Sequence, residues 1–259
     1  MVSLSINNTF EGTPLQQVAF ERHRGISVVS QFARNADIDT TTDPEDLWNS
    51  SGLFTGQTTD DEAVEVLSSS AADAAAGTGA RTVEISGLDS NFALQSETVT
   101  LNGTTPVDTA GTYTRVHSVR VLTAGSGGEN AGTITARHTT TTANVFSVIP
   151  IGENRSGIAA YTVPANYQGW LTHIDADVAV AAAAAGWARI QLLVRPSGGV
   201  FEVLDQWQVA DGERLQREFA MPHKIAAQSD VRIRIDQVST DNTSVSGGFE
   251  MILQELGVG

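Results

Sequence analysis

The sequence predicts an all-β protein with two β-sandwich (jelly-roll-like) domains preceded by an N-terminal arm. Apolar and polar residues alternate with a period of two in many short segments, most clearly in Val231–Gln237. This period is typical of strands with one buried face. Clusters of Gly, Asn, Asp and Ser separate the segments at short intervals, as turns do in sandwiches. The alanine run at 181–185 favours helix by propensity, but it is too short to form an isolated one.

Residues 1–56 are expected to form a docking arm. Turn and capping residues fill 35–47, and Pro44 can open a single helical turn after Asp43. A segment without its own hydrophobic core usually packs on the surface of a neighbouring protein or domain. The predicted interaction residues of the arm are Trp48, Leu53 and Phe54.

Residues 57–142 are predicted to form the first β-sandwich. Short β-type segments alternate there with turn sequences such as Asn102-Gly103 and the glycine-rich run at 125–130. The predicted strands are Ala63–Ser68, Arg81–Ser86, Ser96–Leu101, Val116–Thr123 and Gly132–Arg137.

Residues 143–259 are predicted to form the second, jelly-roll-like sandwich, with the Thr-rich stretch at 139–143 as the hinge between the two domains. The predicted strands are Val145–Pro150, Ile158–Val163, Trp170–Val180, Ala188–Val194, Val200–Val209, Leu215–Met221, Val231–Gln237 and Gly248–Leu256.

The stretch Trp170–Pro196 is predicted to form a hairpin at the centre of this sandwich. Acidic residues, Asp175 and Asp177, alternate along its first strand, and basic residues, Arg189 and Arg195, alternate along its second. Acid opposite base is a common arrangement on an outward sheet face. The small side chains of the tip would let another surface approach closely, so the interaction residues predicted there are Ala181, Ala183 and Trp187.

Composition excludes several classes of function. A net charge of -15 and an isoelectric point near 4.5 argue against direct contact with nucleic acid, which needs a concentrated basic surface. The chain has no cysteine, so it has neither disulfides nor thiolate metal ligands. It shows no secretory signal, and no window reaches the roughly 18 apolar residues of a membrane span.

No residue pattern dictates a reaction. His173, Asp175 and Asp177 share one strand face and could bind a divalent cation or transfer protons, although solvated ion pairs are the more frequent outcome. The five histidines lack zinc-type spacing, and the glycine-rich loops are not followed by a helix that could cradle phosphate. Tryptophans could stack on sugars but more often pack in cores. We therefore expect no catalytic residue, no metal ligand and no cofactor.

Four stretches carry a resemblance to known proteins. They are Ser70–Asp89, Glu97–Val107, Arg34–Asp39 with Pro44–Trp48, and Leu192–Phe201. These turns and strand ends resemble those of virion structural proteins from tailed viruses of bacteria and archaea. The resemblance covers about residue 34 to the C-terminus, and it implies a two-sandwich, oligomeric protein on the capsid or tail.

Three functions follow as hypotheses. The first is a non-enzymatic virion component, such as a head decoration, vertex or turret protein. It would form a homo-oligomer and bind other virion proteins, namely the major capsid protein or a tail or neck protein. Residues 1–56 would dock it, and their deletion would leave two folded domains.

The second hypothesis is a receptor- or carbohydrate-binding module of a tail or spike, which would bind host surface glycan through loops 179–187 or 241–248. The third is a hydrolase of surface polysaccharide that uses Asp175 and Asp177.

Overall fold

The computed structural model describes residues 25–180 and 186–257. The predicted all-β class is confirmed, since every regular element among these residues is a strand. No helix in the described ranges is long and apolar enough to cross a membrane. The strands are β1 (Ile26–Ile38), β2 (Glu45–Asp46), β3 (Glu62–Ser68), β4 (Ala80–Leu88), β5 (Leu94–Thr100), β6 (Val107–Tyr113), β7 (Arg115–Ala124), β8 (Ile134–His138), β9 (Val145–Ile149), β10 (Ala160–Thr162), β11 (Tyr167–Val180), β12 (Trp187–Arg195), β13 (Glu202–Ala210), β14 (Arg214–Ile225), β15 (Asp230–Val238) and β16 (Thr243–Glu255).

The first sandwich packs a four-stranded sheet, in the order β6-β3-β8-β9, against a three-stranded sheet, β5-β4-β7. All neighbouring strands are antiparallel. Alternate residues of each strand enter the core, as in β3, where Val64 and Val66 are buried and their neighbours are not. The largest fully buried side chains of this core are Tyr113, Phe146, Ile85, Leu101, Ile134 and Ile149.

The second sandwich packs a sheet in the order β1-β16-β11-β14 against a sheet in the order β10-β15-β12-β13, to which the short strand β2 adds through β15. Phe249, Met251 and Leu253 of β16 alternate into its core, as the sequence pattern predicts. The fully buried Ile233 and Ile235 approach from β15 in the opposite sheet.

The hairpin predicted for Trp170–Pro196 is wrong. β11 pairs with β14 and β16, whereas β12 pairs with β13 and β15, so the two strands lie in opposite sheets. The alternation shows that each strand has a buried and an exposed face, but it does not specify which strand becomes the neighbour. The outward charges of β11 and β12 therefore lie on opposite sides of the sandwich.

The domain boundaries stay a prediction. Two of the strand pairings cross them. β1, from the expected arm, pairs with β16 along almost its whole length, and Ala33, Ile38 and Leu47 are buried in the second core. β9, grouped by sequence with the second sandwich, pairs with β8 and places Phe146 in the first core. Deletion of residues 1–56 would therefore remove part of the second core.

The predicted hinge at 139–143 is a tight connection between the paired strands β8 and β9. The chain returns from the first sandwich to the second through residues 150–159 instead. This connector is bonded to β7, because Val121 N–H donates to Asn154 O at 2.8 Å and Ser156 N–H donates to Val119 O at 2.9 Å. These backbone bonds hold the connector against the first sandwich.

The sequence did not predict β6. Its residues, Val107–Tyr113, include Asp, two Thr, Ala and Gly, and they show little apolar alternation. β6 is the outer strand of its sheet and only Thr109 and Tyr113 are buried. A polar edge strand of this kind has too weak a pattern to be recognised without its neighbour.

Candidate functional site

The predicted docking residues Trp48 and Phe54 lie inside the chain's own structure. Their rings meet edge to face with centroids 5.4 Å apart, and they pack with Ile158 and Ala160. Trp48 Nε1–H donates to Gly52 O at 3.1 Å, which satisfies the indole. Both side chains therefore help to hold the segment after β2 against the connector.

The other predicted interaction residues have different surroundings. Leu53 is 48% exposed. Trp187 is half-buried at the start of β12, where its backbone N–H donates to Ser239 Oγ at 2.8 Å. Ala181 and Ala183 lie outside the described residues. A role in docking stays a prediction for these four residues.

The acidic residues of β11 lie on an open outer sheet face. Asp175 forms an exposed ion pair with Arg214 of β14 at 3.1 Å, and Asp177 accepts hydrogen bonds from Ser246 Oγ of β16 at 2.9 Å. The expected partner Arg189 pairs instead with Asp236 of β15. Each carboxylate thus has its own partner on a neighbouring strand, as on a solvated face.

A buried ion network that was not predicted joins the two sandwiches. Asp230, at the start of β15, accepts hydrogen bonds from Arg115 Nε of β7 at 3.0 Å, from Arg195 Nε of β12 at 2.7 Å and from Thr162 Oγ1 of β10 at 2.5 Å. The Asp230 carboxylate is 3% exposed and the Arg115 side chain 6%. One carboxylate thus links strands from both domains.

The same two arginines also hold the segment that leads into β3. Arg195 donates to Gln57 O at 2.8 Å, and Arg115 donates to the neighbouring Thr58 O. A buried arginine that donates to several acceptors has its N–H groups hydrogen-bonded as well as its charge paired. The network therefore joins the first sandwich, the second sandwich and the segment between β2 and β3.

A second acidic centre lies beside the first. Asp46 of β2 forms an ion pair with Arg232 at 3.0 Å and accepts a hydrogen bond from Arg234 Nε at 2.9 Å, and its carboxylate is 2% exposed. The ring of Phe201 lies under the guanidinium of Arg232 at 3.8 Å and under that of Arg195 at 4.6 Å. Burial lowers the pKa of Arg232 to about 10, and Asp46 opposes that shift.

His117 lies against the network without pairing to it. Its ring stacks on Tyr161 with centroids 3.9 Å apart, and its Nε2 accepts from Thr162 N–H at 3.3 Å. Burial, together with the nearby Arg115 guanidinium, lowers the pKa of His117 to about 3. The cavity lined by these residues measures about 10 Å³, roughly the space of one water molecule. The network is thus a closed joint and not a ligand pocket.

Four exposed apolar side chains lie on or beside two outer strands of the second sandwich, β13 and β14. β13 and β14 are the outer strands of opposite sheets, and the turn at 211–213 joins them. Val203 of β13 lies eight residues before this turn, and Met221 of β14 lies eight residues after it. We call this surface the β13–β14 flank; its exposed apolar residues are Val200 (71%), Val203 (52%), Leu204 (38%) and Met221 (83%).

A polar groove runs beside β1, the other outer strand of the sheet that contains β14. Phe32, 60% exposed, and Arg34 line it from β1, and Asn49, Glu153 and Arg155 line it from the facing loops. Its volume is about 480 Å³. Asn49 Nδ2 donates to Glu153 Oε2 at 2.9 Å across one end. One exposed aromatic ring beside planar polar groups is an arrangement that suits a sugar.

No protein-family model matches the sequence, and no curated protein matches it. Among solved structures, the chain is similar to a structure of infectious bursal disease virus, Gt strain, with 8% identity and a TM-score of 0.22, over 94% of this chain and 78% of that chain. It is also similar to the crystal structure of the infectious bursal disease virus VP2 subviral particle, with 9% identity and a TM-score of 0.22, over 90% of this chain and 72% of that chain. Both neighbours are viral structures, and a TM-score of 0.22 carries no argument about this chain.

Proposed function

We propose that this protein is a structural component of a virus particle and that it assembles with copies of itself through the β13–β14 flank. The observation that carries the proposal is the flank itself. Outer strands present unpaired backbone groups, and monomeric proteins usually protect them with charge or cover them. Here two such strands carry charged residues but also three large exposed apolar side chains, and a fourth, Val200, lies just before β13. A surface of this kind suits a lasting protein contact.

The buried network supports the same role. Assembly requires that the surfaces of one subunit keep fixed relative positions. Asp230 ties both sandwiches together in a position nearly closed to water. The resemblance of residues 34 onward to virion proteins of tailed viruses adds the context. We place the protein on the head as a decoration, vertex or turret component, in contact with the major capsid protein or with a tail or neck protein.

The mass of the purified protein tests the assembly. Light scattering coupled to size exclusion should give a defined homo-oligomer. The double variant Val203→Glu, Met221→Glu should be a monomer with an unchanged thermal unfolding temperature, because both side chains are exposed. A matched control is Leu94→Glu on β5 of the first sandwich, whose side chain is 53% exposed. This control should keep the wild-type mass. A monomeric wild type, or an equal effect of both changes, would contradict the proposal.

Incorporation into particles tests the virion role. Removal of residues 1–24 leaves β1 complete, whereas removal of 1–56 does not. The shorter deletion should therefore preserve the fold but abolish incorporation if the predicted arm docks the protein. Normal incorporation of the shorter chain would refute docking by residues 1–24.

The polar groove beside β1 favours a second candidate, a receptor- or carbohydrate-binding module of a tail or spike. Saturable binding to a glycan array that disappears in Phe32→Ala would favour this function over the first. A control is Leu122→Ala on β7, which is also an exposed apolar residue but lies in the first sandwich. It should leave glycan binding intact. Glycan binding that both changes weaken equally, or that neither changes, would exclude the groove.

A further inference from the structure

Three potential metal ligands meet at one end of the first sandwich. Asp60 lies in the segment before β3, Glu62 begins β3 and His138 ends β8. One ligand atom from each lies within 4.8 Å of the other two. Asp60 is exposed, Glu62 is half-buried and His138 is fully buried. The group thus opens to solvent on its acidic side and is anchored in the core on its imidazole side.

The histidine ring presents Nδ1 to the carboxylates. Its Nε2 lies 3.2 Å from Tyr113 O, and because a carbonyl oxygen only accepts, Nε2 carries the hydrogen in the neutral ring. The edge-to-face contact with Phe146, at a centroid distance of 4.5 Å, fixes the ring plane. A backbone carbonyl that binds one ring nitrogen and leaves the other as a lone pair is the usual support of a metal-binding histidine.

Glu62 is held as an ionised carboxylate. Its Oε2 accepts from Thr140 N–H at 2.9 Å and from Thr141 N–H at 3.1 Å, and its Oε1 accepts from Thr141 Oγ1 at 2.7 Å. The 139–144 loop therefore orients this carboxylate before any ligand arrives.

The amide of Asn144 completes the group. Its Nδ2 lies 3.0 Å from Asp60 Oδ2 and 3.4 Å from His138 Nδ1. The amide now donates to both acceptors. Rotation of the amide by half a turn would place Oδ1 among the same lone pairs, an arrangement that only a cation would make favourable. Asn144 can thus serve either as a donor without metal or as an oxygen ligand with it.

We propose that His138 Nδ1, Asp60, Glu62 and the Asn144 amide oxygen bind one divalent transition cation of the Zn²⁺ or Mn²⁺ type. Imidazole nitrogen favours these ions over Ca²⁺ and Mg²⁺, and carboxylate and amide oxygens complete a mixed N/O site. Ligand atoms on one tetrahedral Zn²⁺ lie roughly 3.3–3.6 Å apart. The ligand atoms lie within 4.8 Å of one another, so binding of the cation would draw them closer together, and Asp60 is the exposed member of the group.

The cation would stabilise a particular part of the fold. It would join the segment before β3 to β8 and to the 139–144 loop. The same segment is already held at Gln57 and Thr58 by Arg195 and Arg115. Binding of metal would thus add a second fixed point to the segment that connects the second sandwich to the first.

Calorimetric titration of the full chain, after removal of metal with a chelator, tests the site. Zn²⁺ and Mn²⁺ added separately should give saturable binding of one equivalent for at least one ion, together with a higher thermal unfolding temperature. Asp60→Asn should weaken this binding at least about tenfold. The matched control is Asp61→Asn, which changes the adjacent exposed acid. Asp61 accepts a hydrogen bond from Thr112 Oγ1 at 3.1 Å and is not part of the group.

Asp61→Asn should bind like the wild type. Equal weakening by both changes would show only general attraction of cations to an acidic chain and would overturn the proposal, as would the absence of saturable binding. Nitrogen-15 NMR gives an independent readout. One histidine Nδ1 resonance should shift on addition of Zn²⁺ and should be missing in His138→Gln. If His138→Gln does not fold, the comparison of Asp60→Asn with Asp61→Asn decides alone.

Discussion

Arg115 of the first sandwich and Asp230 of the second form an ion pair in which Arg115 Nε lies 3.0 Å from Asp230 Oδ1. Asp230 also binds Arg195 and Thr162, so a single carboxylate pairs with two arginines at the junction. Removal of one member of a buried pair costs more than the pair contributes, because the remaining charge stays buried without compensation.

Asp230→Asn should therefore lower the free energy of unfolding by about 3–5 kcal/mol in urea titrations. The matched control is Glu84→Gln, which breaks the pair of Glu84 with the exposed Arg120. This control should unfold at the wild-type urea concentration, because exposed pairs contribute little. Similar effects of the two changes would show that the junction is hydrated and not closed.

The buried histidine predicts a loss of stability in mild acid. The pKa of His117 is lowered from 6.5 to about 3 in the folded protein, so the unfolded chain binds a proton in this range and the folded chain does not. The free energy of unfolding then falls as pH decreases, by about 2 kcal/mol between pH 7 and pH 5. Urea titrations at several pH values measure this slope. The change His117→Gln, which keeps an acceptor for Thr162 N–H, should flatten it. An unchanged slope would assign the acid sensitivity to other groups.

Below that range, Glu62 should add to the loss. Its pKa is lowered to about 2, so its contribution is present above the unfolded value of 4.5 and disappears as pH falls toward 2. Glu62→Gln should remove this component of the acid profile. Persistence of the full profile in the variant would contradict the assignment.

Gly248 tests the placement of β1 in the second sandwich. A Cβ at this position would lie 1.9 Å from Gln31 O, so an alanine would push β1 away from β16. Gly248→Ala should lower the free energy of unfolding by about 1–3 kcal/mol. In the control Gly111→Ala on β6, the added Cβ would meet side-chain atoms and no backbone, with Gln95 Oε1 at 3.3 Å as the nearest. It should cost clearly less. A neutral Gly248→Ala would mean that β1 does not pair with β16 in this register.

Trp48 tests whether the residues before β3 are core or docking surface. Trp48→Ala should lower the free energy of unfolding by about 3–5 kcal/mol, because it empties the space beside Phe54 and Ile158. Trp48→Phe should cost less and should enter particles normally. If Trp48→Phe instead abolished incorporation without loss of stability, Trp48 would act in docking as the sequence suggested.

Much of the fold could be predicted from local pattern. The alternation in Val231–Gln237 and the turn residues between segments locate most of the strands to within a few residues. β6 was not predicted, because an exposed edge strand needs few apolar residues. The two charged clusters with the most specific geometry were not predicted either. Asp230 and Arg115, and likewise Asp60 and His138, are far apart in sequence, and no spacing rule connects them.

Local alternation is enough to specify that this chain is made of strands with one buried face, because the alternation of side chains acts within a single strand. The choice of neighbouring strands is made in the folded molecule: β11 and β12 face each other across a core, β1 completes the second sandwich and β9 completes the first. Strand pairing depends on how all the apolar faces can be buried together, which no single segment can specify. The partners of each outward or buried charge follow from that pairing.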